Sequence, residues 1–399
     1  QNETFAIRGA KVYTGKGAPI TDATVVVRGG KIISIGKRPP PAGARVMSGT
    51  GKIITPGLVD ASTTVGLVEV SQVSEANDGH FNTKSDDKIH AAYRVTDGFN
   101  ARSVAIPVAR SGGVTAVVTS PRGSLIAGQA ALVRLTPGAA SVAAAPVTMA
   151  ASLGSRTLGG TPSRGMVIER LRELLDDART YRRVKGRYDR NQSRRLAAER
   201  LDLEALGPVV AGRLPLVIRA HRTSDLRAAI QLKKDLGIDV VIEGGTEAWL
   251  LAAELARAKI PVILDPVQNL PYNFDRIHVR PNAATLLDKA GVAIVISTLG
   301  SASNVRRLRQ LAGNAVANGL PYDRAIEAIT SAPARAFGIK SKVGTLERGA
   351  PADLVLWSGD PLELSTRPEL IMIDGKPVPL RSRQTLLRDR YRQMPARPR

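Results

Sequence analysis

The chain has 399 residues, 43% of them hydrophobic, enough for one large core or a large domain with a small one beside it. It contains no cysteine, which excludes disulfides and thiolate metal sites, and no apolar run reaches the ~18 residues that a membrane span needs. Its net charge of +22 is high, and two basic runs carry part of it. Residues 181–200 hold eight Arg or Lys against Asp189 and Glu199, and residues 376–399 hold eight against Asp389. Such runs suit an acidic partner or a nucleic acid, but aromatics make up only 4% of the chain, so a base-stacking platform is poorly supported. A solvated helix face and a tail are the plainer reading, and nucleic acid is not the expected partner.

The first 55 or so residues read as β. "TFAIRGAKVYTG" alternates, and "ATVVVRGGKIISIG" places two β-branched runs around Gly29-Gly30, a hairpin signal. "RPPPAGA" breaks the pattern and "ARVMSGTGKIITPG" resumes it. From Gly57 short apolar runs alternate with helical stretches. The strands are "PGLVDA", "GGVTAVVTS", "PVTMAASLG", "LPLVIRAH", "GIDVVIEGG", "IPVILDP" and "GVAIVISTLG". "TSDLRAAIQLKKDLG" and "GTEAWLLAAELARAKI" show apolar residues at helical spacing. "SPRGSLIAGQAA", Ser120 to Ala131, reads as a glycine-bearing loop able to approach a ligand by its backbone. The alternation predicts a parallel sheet, most simply a (β/α) barrel; a doubly wound sheet would lack its usual GxGxxG. After Gly338 the pattern returns to β, so the two ends can pair into a small sheet. The organisation expected is a composite β domain from residues 1–56 and 340–380, a barrel from 57–339, and a basic tail from 381–399.

Three stretches carry a family resemblance: "GKIITPGLVDA", "GGVTAVV", and above all "AITSAPARAFGIKSKVGTLERGAPADLVLWSGDPLEL", with Gly344, Gly349, Ala352-Asp353 and Asp360-Pro361. The chain resembles the amidohydrolase superfamily, nearest its imidazolonepropionase-like branch, over roughly residues 5 to 375. The resemblance implies an α/β fold, a distorted (β/α)8 TIM barrel with a small β-sandwich built from both termini. It also implies hydrolysis of C–N bonds around one or two divalent metal ions such as zinc.

The family's ligand positions fall on unsuitable residues. Its first strand ends in His-x-His, two residues on one face of the strand, where this chain has Ser62 and Thr64. A middle-strand Lys or Glu aligns loosely with Ser155. The fifth-strand His is kept as His221, the sixth-strand His is Gly244, directly after Glu243, and the eighth-strand Asp is Leu299. Hydroxyls replace zinc ligands poorly, and without the Asp a metal-bound water has no proton acceptor. No metal cofactor is therefore expected. Two other sites are conceivable. Asp78, His80, Asp87 and His90 form a polar cluster after the first strand, with Asp87 and His90 at i, i+3 spacing on a possible helix. A polar loop with local caps is the plainer reading there. Otherwise His221 could activate Ser62 or Thr64, with Glu243 and Asp265 as further acid/base groups at strand ends. Arg219, Arg222 and His221 together suit an anion.

The expected protein is thus a catalytically degenerate amidohydrolase. It would serve as a partner of an active relative, as a self-associating subunit, or as a binder of a small molecule in the barrel mouth. The alternative is a C–N hydrolase with a non-standard site. A start at Gln1 and the resemblance suggest a bacterial periplasmic or exported protein, with the cytoplasm as the alternative.

Overall fold

The chain is described by a computed structural model covering residues 3–79, 87–154, 157, 163–268, 270–300 and 302–392. Five strands precede the barrel: β1 (Thr4–Val12), β2 (Ile20–Arg28), β3 (Lys31–Gly36), β4 (Arg45–Ser48) and β5 (Ile53–Pro56). The β2–β3 hairpin turns at Gly29-Gly30, whose φ values of 57° and 76° are those that a tight primed turn requires. The barrel follows with β6 (Leu58–Thr63), β7 (Val114–Thr119), β8 (Ile126–Arg134), β9 (Ser141–Ser152), β10 (Leu216–Ala220), β11 (Val240–Gly244), β12 (Val262–Leu264) and β13 (Ile294–Ile296). The chain then returns with β14 (Leu354–Trp357), β15 (Pro368–Ile373) and β16 (Lys376–Pro377).

The terminal strands form one sheet in the order β16-β15-β14-β5-β1-β2-β3, with β4 also on β1. Val25 and Ile32 from the first hairpin pack with Ile54, Leu354 and Leu356 in its core. The fold is thus the α/β arrangement expected: a distorted barrel beside a small sheet drawn from both ends of the chain. Beyond β16, Arg383–Arg392 is a helix with no buried residue.

The barrel sheet runs in sequence order from β6 to β13, and a parallel bridge from Thr63 to Gly300 links its two edges. β8 is antiparallel to both β7 and β9, while the other neighbours are parallel. This corrects the loop reading of Ser120–Ala131: from Ile126 onward that stretch is strand. Its small residues hide the pattern, yet Ile126, Ala130 and Leu132 are fully buried. β9 likewise begins at Ser141, earlier than "PVTMAASLG" suggests.

Strand alternation places the site. Val217, Val241, Ile263 and Val295 share one cluster with Val118, Leu132 and Phe337. Their neighbours Ile218, Ile242, Leu264 and Ile296 pack in the larger cluster, among helix residues such as Leu226 and Leu255. Stepping by two from the first set reaches Arg219, Glu243, Asp265 and Ser297, so these polar residues continue the inner row to the strands' C-terminal ends. The helix Thr223–Leu236 shows how the outer layer forms: Leu226, Ala229, Leu232 and Leu236 are buried at helical spacing, and Gly237 ends it at φ 56°. Each buried Leu is worth about 1.5–3 kcal/mol.

Candidate ligand site at the barrel mouth

Ser62, one residue from the end of β6, is 2% exposed. Its hydroxyl donates to Glu243 Oε2 at 2.6 Å and accepts from Arg122 Nη2 at 2.9 Å. Arg122, 8% exposed, follows β7 and reaches across the mouth. Its Nη1 donates to the Leu299 carbonyl at 2.9 Å and lies 3.7 Å from Glu243 Oε1. The same carboxylate oxygen accepts from Arg219 Nε at 2.7 Å and from Arg219 Nη2. Burial alone would raise the Glu243 pKa, but Arg219 and Arg122 outweigh it and hold the carboxyl down at about 2. Burial and the repulsion of Arg219 lower Arg122 to about 10, so it stays charged at neutral pH.

Beneath this network Asp60 is fully buried. It accepts hydrogen bonds from the hydroxyls of Ser297 and of Thr298, the latter at 2.6 Å. Burial still raises its pKa to about 6 against those bonds.

His221, at the end of β10, is 9% exposed. Arg276 Nη2 stands 3.2 Å from its Nε2, and an arginine can only donate, so Nε2 carries the lone pair. Nδ1 then bears the proton and donates to Thr246 Oγ1 at 2.9 Å. Burial, reinforced by Arg276 and Arg219, pushes the imidazole pKa down to about 3, so the ring is neutral. Gly244 lies against it with φ 95°, and a Cβ there would come within 2.5 Å of His221 Cε1. A side chain at 244 and His221 in its present place exclude each other.

Of these groups Arg219, His221 and Arg276 line a cavity of about 530 Å³ together with Ser124, Leu153 and Phe274 among others, and Arg219 also lines a small neighbouring recess with Arg122 and Glu243. The structure therefore gathers His221, Arg219, Glu243 and Ser62 at one mouth, although His221 and Glu243 share no hydrogen bond. Asp265 stands in a neighbouring recess with Gly244 and Leu299. There its carboxylate accepts from the Val267 N–H at 2.9 Å and the Gln268 side chain at 3.3 Å, and burial raises its pKa. Arg222 precedes the helix Thr223–Leu236 and does not line the cavity. Besides Arg219 on β10, the arginines that bear on the mouth are Arg122, which like Ser124 comes from a loop, and Arg276, which ends the short 3-10 helix Phe274–Arg276. A sequence signal for Arg122 was its place directly after a buried strand end in "VTSPRGS".

Of the Asp78–His90 cluster, Asp87 lies away from the mouth, and the helix expectation for Asp87 and His90 does not hold. Ile89 bridges Ile126 in parallel and residues 87–90 form no helix, with His90 Nδ1 3.5 Å from Asp87. Asp87 lines a separate cavity of about 650 Å³ with Glu169, Glu173 and Asp202. The Asp78 carbonyl accepts from Tyr93. His80 and Ser155 lie outside the described residues. The basic run 181–200 is in part ion-paired, Arg194 to Asp177 and Lys185 to Glu204.

Among the described residues, the resemblance's ligand positions other than His221 offer donors that do not fit a divalent metal. Ser62 is committed to a carboxylate and a guanidinium. The Thr64 hydroxyl is buried with no partner among the described residues. Gly244 offers no side chain, and Leu299 offers only a carbonyl already held by Arg122. A zinc site takes about three charged or imidazole ligands plus water. Here the cation joining the ends of β6, the β13 exit and Glu243 is a guanidinium.

Comparison with known proteins supplies the lineage. A model of the Amidohydrolase family matches residues 227–378. The chain is 24% identical over 413 residues to Amidohydrolase tasK of Hapsidospora irregularis, covering 91% of this chain and 42% of that protein. It thus spans about two fifths of that relative's length. An amidohydrolase crystal structure from Thermotoga maritima MSB8 superposes with a TM-score of 0.83 at 25% identity, covering 94% of this chain and 99% of the other. A phenylurea hydrolase B structure shares the fold alone, with a TM-score of 0.56 at 17% identity and coverage of 94% and 97%.

Proposed function

Since the chain belongs to the amidohydrolase superfamily, we propose that it is a metal-independent member, a small-molecule binding protein that uses the old active-site mouth. The observation that carries this reading is Arg122. Its buried guanidinium holds Ser62 and the Leu299 carbonyl and sits beside Glu243, so the charge that a metal would supply is supplied by the chain. A second cation brought among Arg122 and Arg219 would meet two positive charges for one carboxylate. Catalysis of the family kind also needs a base near the attacking water. Glu243, held near 2, bonded by Ser62 and Arg219 and paired with Arg122, is a poor one at neutral pH. Neutral His221 has its lone pair turned to Arg276. The imidazolonepropionase-like branch is the nearest home for the first-strand and barrel-exit motifs.

The test is elemental analysis of the purified protein, with a screen of amides, lactams and ureas in the presence and absence of zinc or manganese. The expected outcome is substoichiometric metal and no turnover. Stoichiometric metal with turnover abolished by His221→Ala would establish the alternative, a C–N hydrolase with a non-standard site.

A further inference from the structure

Resting on that binding reading, we infer that the cavity is built for a carboxylate carried on a flat apolar body. Arg276 and Ser124 take the anion, and Tyr272 and Phe274 flank the body.

Among the described residues, charge pairing accounts for every ionised group at the cavity wall but one. Arg219 is spent on Glu243, and Asp275 is spent on Arg164. Arg276 makes no ion pair among the described residues. Its Nη1 goes to the Gln268 side chain and its Nη2 to neutral His221, while its buried Nε–H has no partner among the described residues. Asp265 and Asp275 act on it only through space, and Arg219 opposes them. A guanidinium in that condition is satisfied by a carboxylate.

Ser124 supplies the second, independent observation. It is 1% exposed, it lines the same cavity, and its hydroxyl has no partner among the described residues. A buried hydroxyl left unpaired costs about 1–3 kcal/mol, which a ligand oxygen would recover. On the outer side, Tyr272 and Phe274 line the cavity while remaining 83% and 82% exposed. Large rings so open at a cavity rim gain most when a flat ligand stacks on them. The volume of about 530 Å³ suits a small organic acid.

The experiment is calorimetric titration of the full chain with phenylacetate and, in parallel, with phenylacetamide, which differs in the charge. Phenylacetate is expected to bind and the amide to bind at least about tenfold more weakly. Arg276→Gln should remove that preference, and Ser124→Ala should weaken phenylacetate about threefold to tenfold. Circular dichroism checks that both variants fold, and Ser124→Ala is small enough to keep the test open should Arg276→Gln not. Equal binding of acid and amide, or binding of neither, overturns the carboxylate assignment while leaving the metal-independent reading standing. Hydrolysis of phenylacetamide by a metal-loaded protein overturns that reading itself.

Discussion

Two buried carboxylates and one imidazole give the barrel mouth a pH behaviour that can be read group by group. Asp60 has its folded pKa raised to about 6 by burial, so below its unfolded value the group costs nothing, and its penalty grows as pH rises from about 4 to 6. His221 has the opposite sign. Its folded pKa is down at about 3, so the unfolded chain takes up a proton that the folded chain refuses, and stability is lost as pH falls from about 6.5 toward 3. Between about pH 4 and 6 the two slopes oppose each other at roughly 1.4 kcal/mol per pH unit. Asp60→Asn should therefore leave the His221 slope uncompensated, so that stability falls toward acid, and His221→Gln should leave the Asp60 slope, so that stability rises as pH falls from about 6 to 4, both read from urea unfolding at half-unit pH steps. Parallel curves for parent and variants would dismiss both assignments. Glu243, held near 2, contributes stability that is present above its unfolded pKa and is lost only below about pH 4.5. Arg122→Met tests the internal cation directly. It leaves Glu243 with one partner fewer and the Leu299 carbonyl unpaired, so about 3–5 kcal/mol of stability should go, and excess zinc should not restore it. A thermal melt restored by zinc would mean that a metal fits there after all.

At the scale of the strand and its exit turn, the strongest constraint is the pairing of β11 with β10. Gly244 holds φ 95°, where side chains are strained, and its missing Cβ is the space that His221 fills. Gly244→Ala should cost about 2–4 kcal/mol and should shift the His221 ring resonances in NMR spectra. An unchanged ring signal would refute the packing account. Leu299 carries a related signature. Its φ of 43° is unusual for a leucine, and its carbonyl is turned to Arg122. This is also the scale at which sequence legibility divides. The hairpin at Gly29-Gly30, the helix Thr223–Leu236 and the ends of β10 and β11 were readable because local periodicity and turn chemistry specify them. That Ser62, Gly244 and Leu299 stand at or just beyond strand ends was readable because a strand end is a fixed address in a barrel. β8 was not, because "IAGQAALV" is so rich in small residues that neither period shows. Arg122 and Arg276 were not, because each acts across the mouth on groups more than fifty residues away in the chain.

The whole molecule joins a barrel to a sheet from both chain ends, and the seam is well filled. Arg134, from β8, pairs with Asp353 and Asp374 at 2.5 Å each. Arg309 donates to the carbonyls of Pro361 at 2.8 Å and Thr366 at 3.0 Å. Trp357 on β14 is fully buried, bonds Thr55 Oγ1 at 2.9 Å, and packs so close to Gly113 that a Cβ there would meet the ring at 2.6 Å. A seam with one largely buried ion pair and a buried aromatic ring should make the two parts unfold together. The chain's two tryptophans report on it separately, since Trp249 sits on the barrel, its Nε1 3.2 Å from the His278 carbonyl. Fluorescence of Trp249→Phe and Trp357→Phe should therefore give transitions in urea that coincide once each variant's stability is referred to a common far-ultraviolet signal. Arg134→Ala strands two carboxylates, one of them buried, and should lower both transitions by about 3 kcal/mol without separating them. If the Trp357 signal moved ahead of the barrel signal, the small sheet would be an independent unit. The mouth would then owe its geometry to the barrel alone.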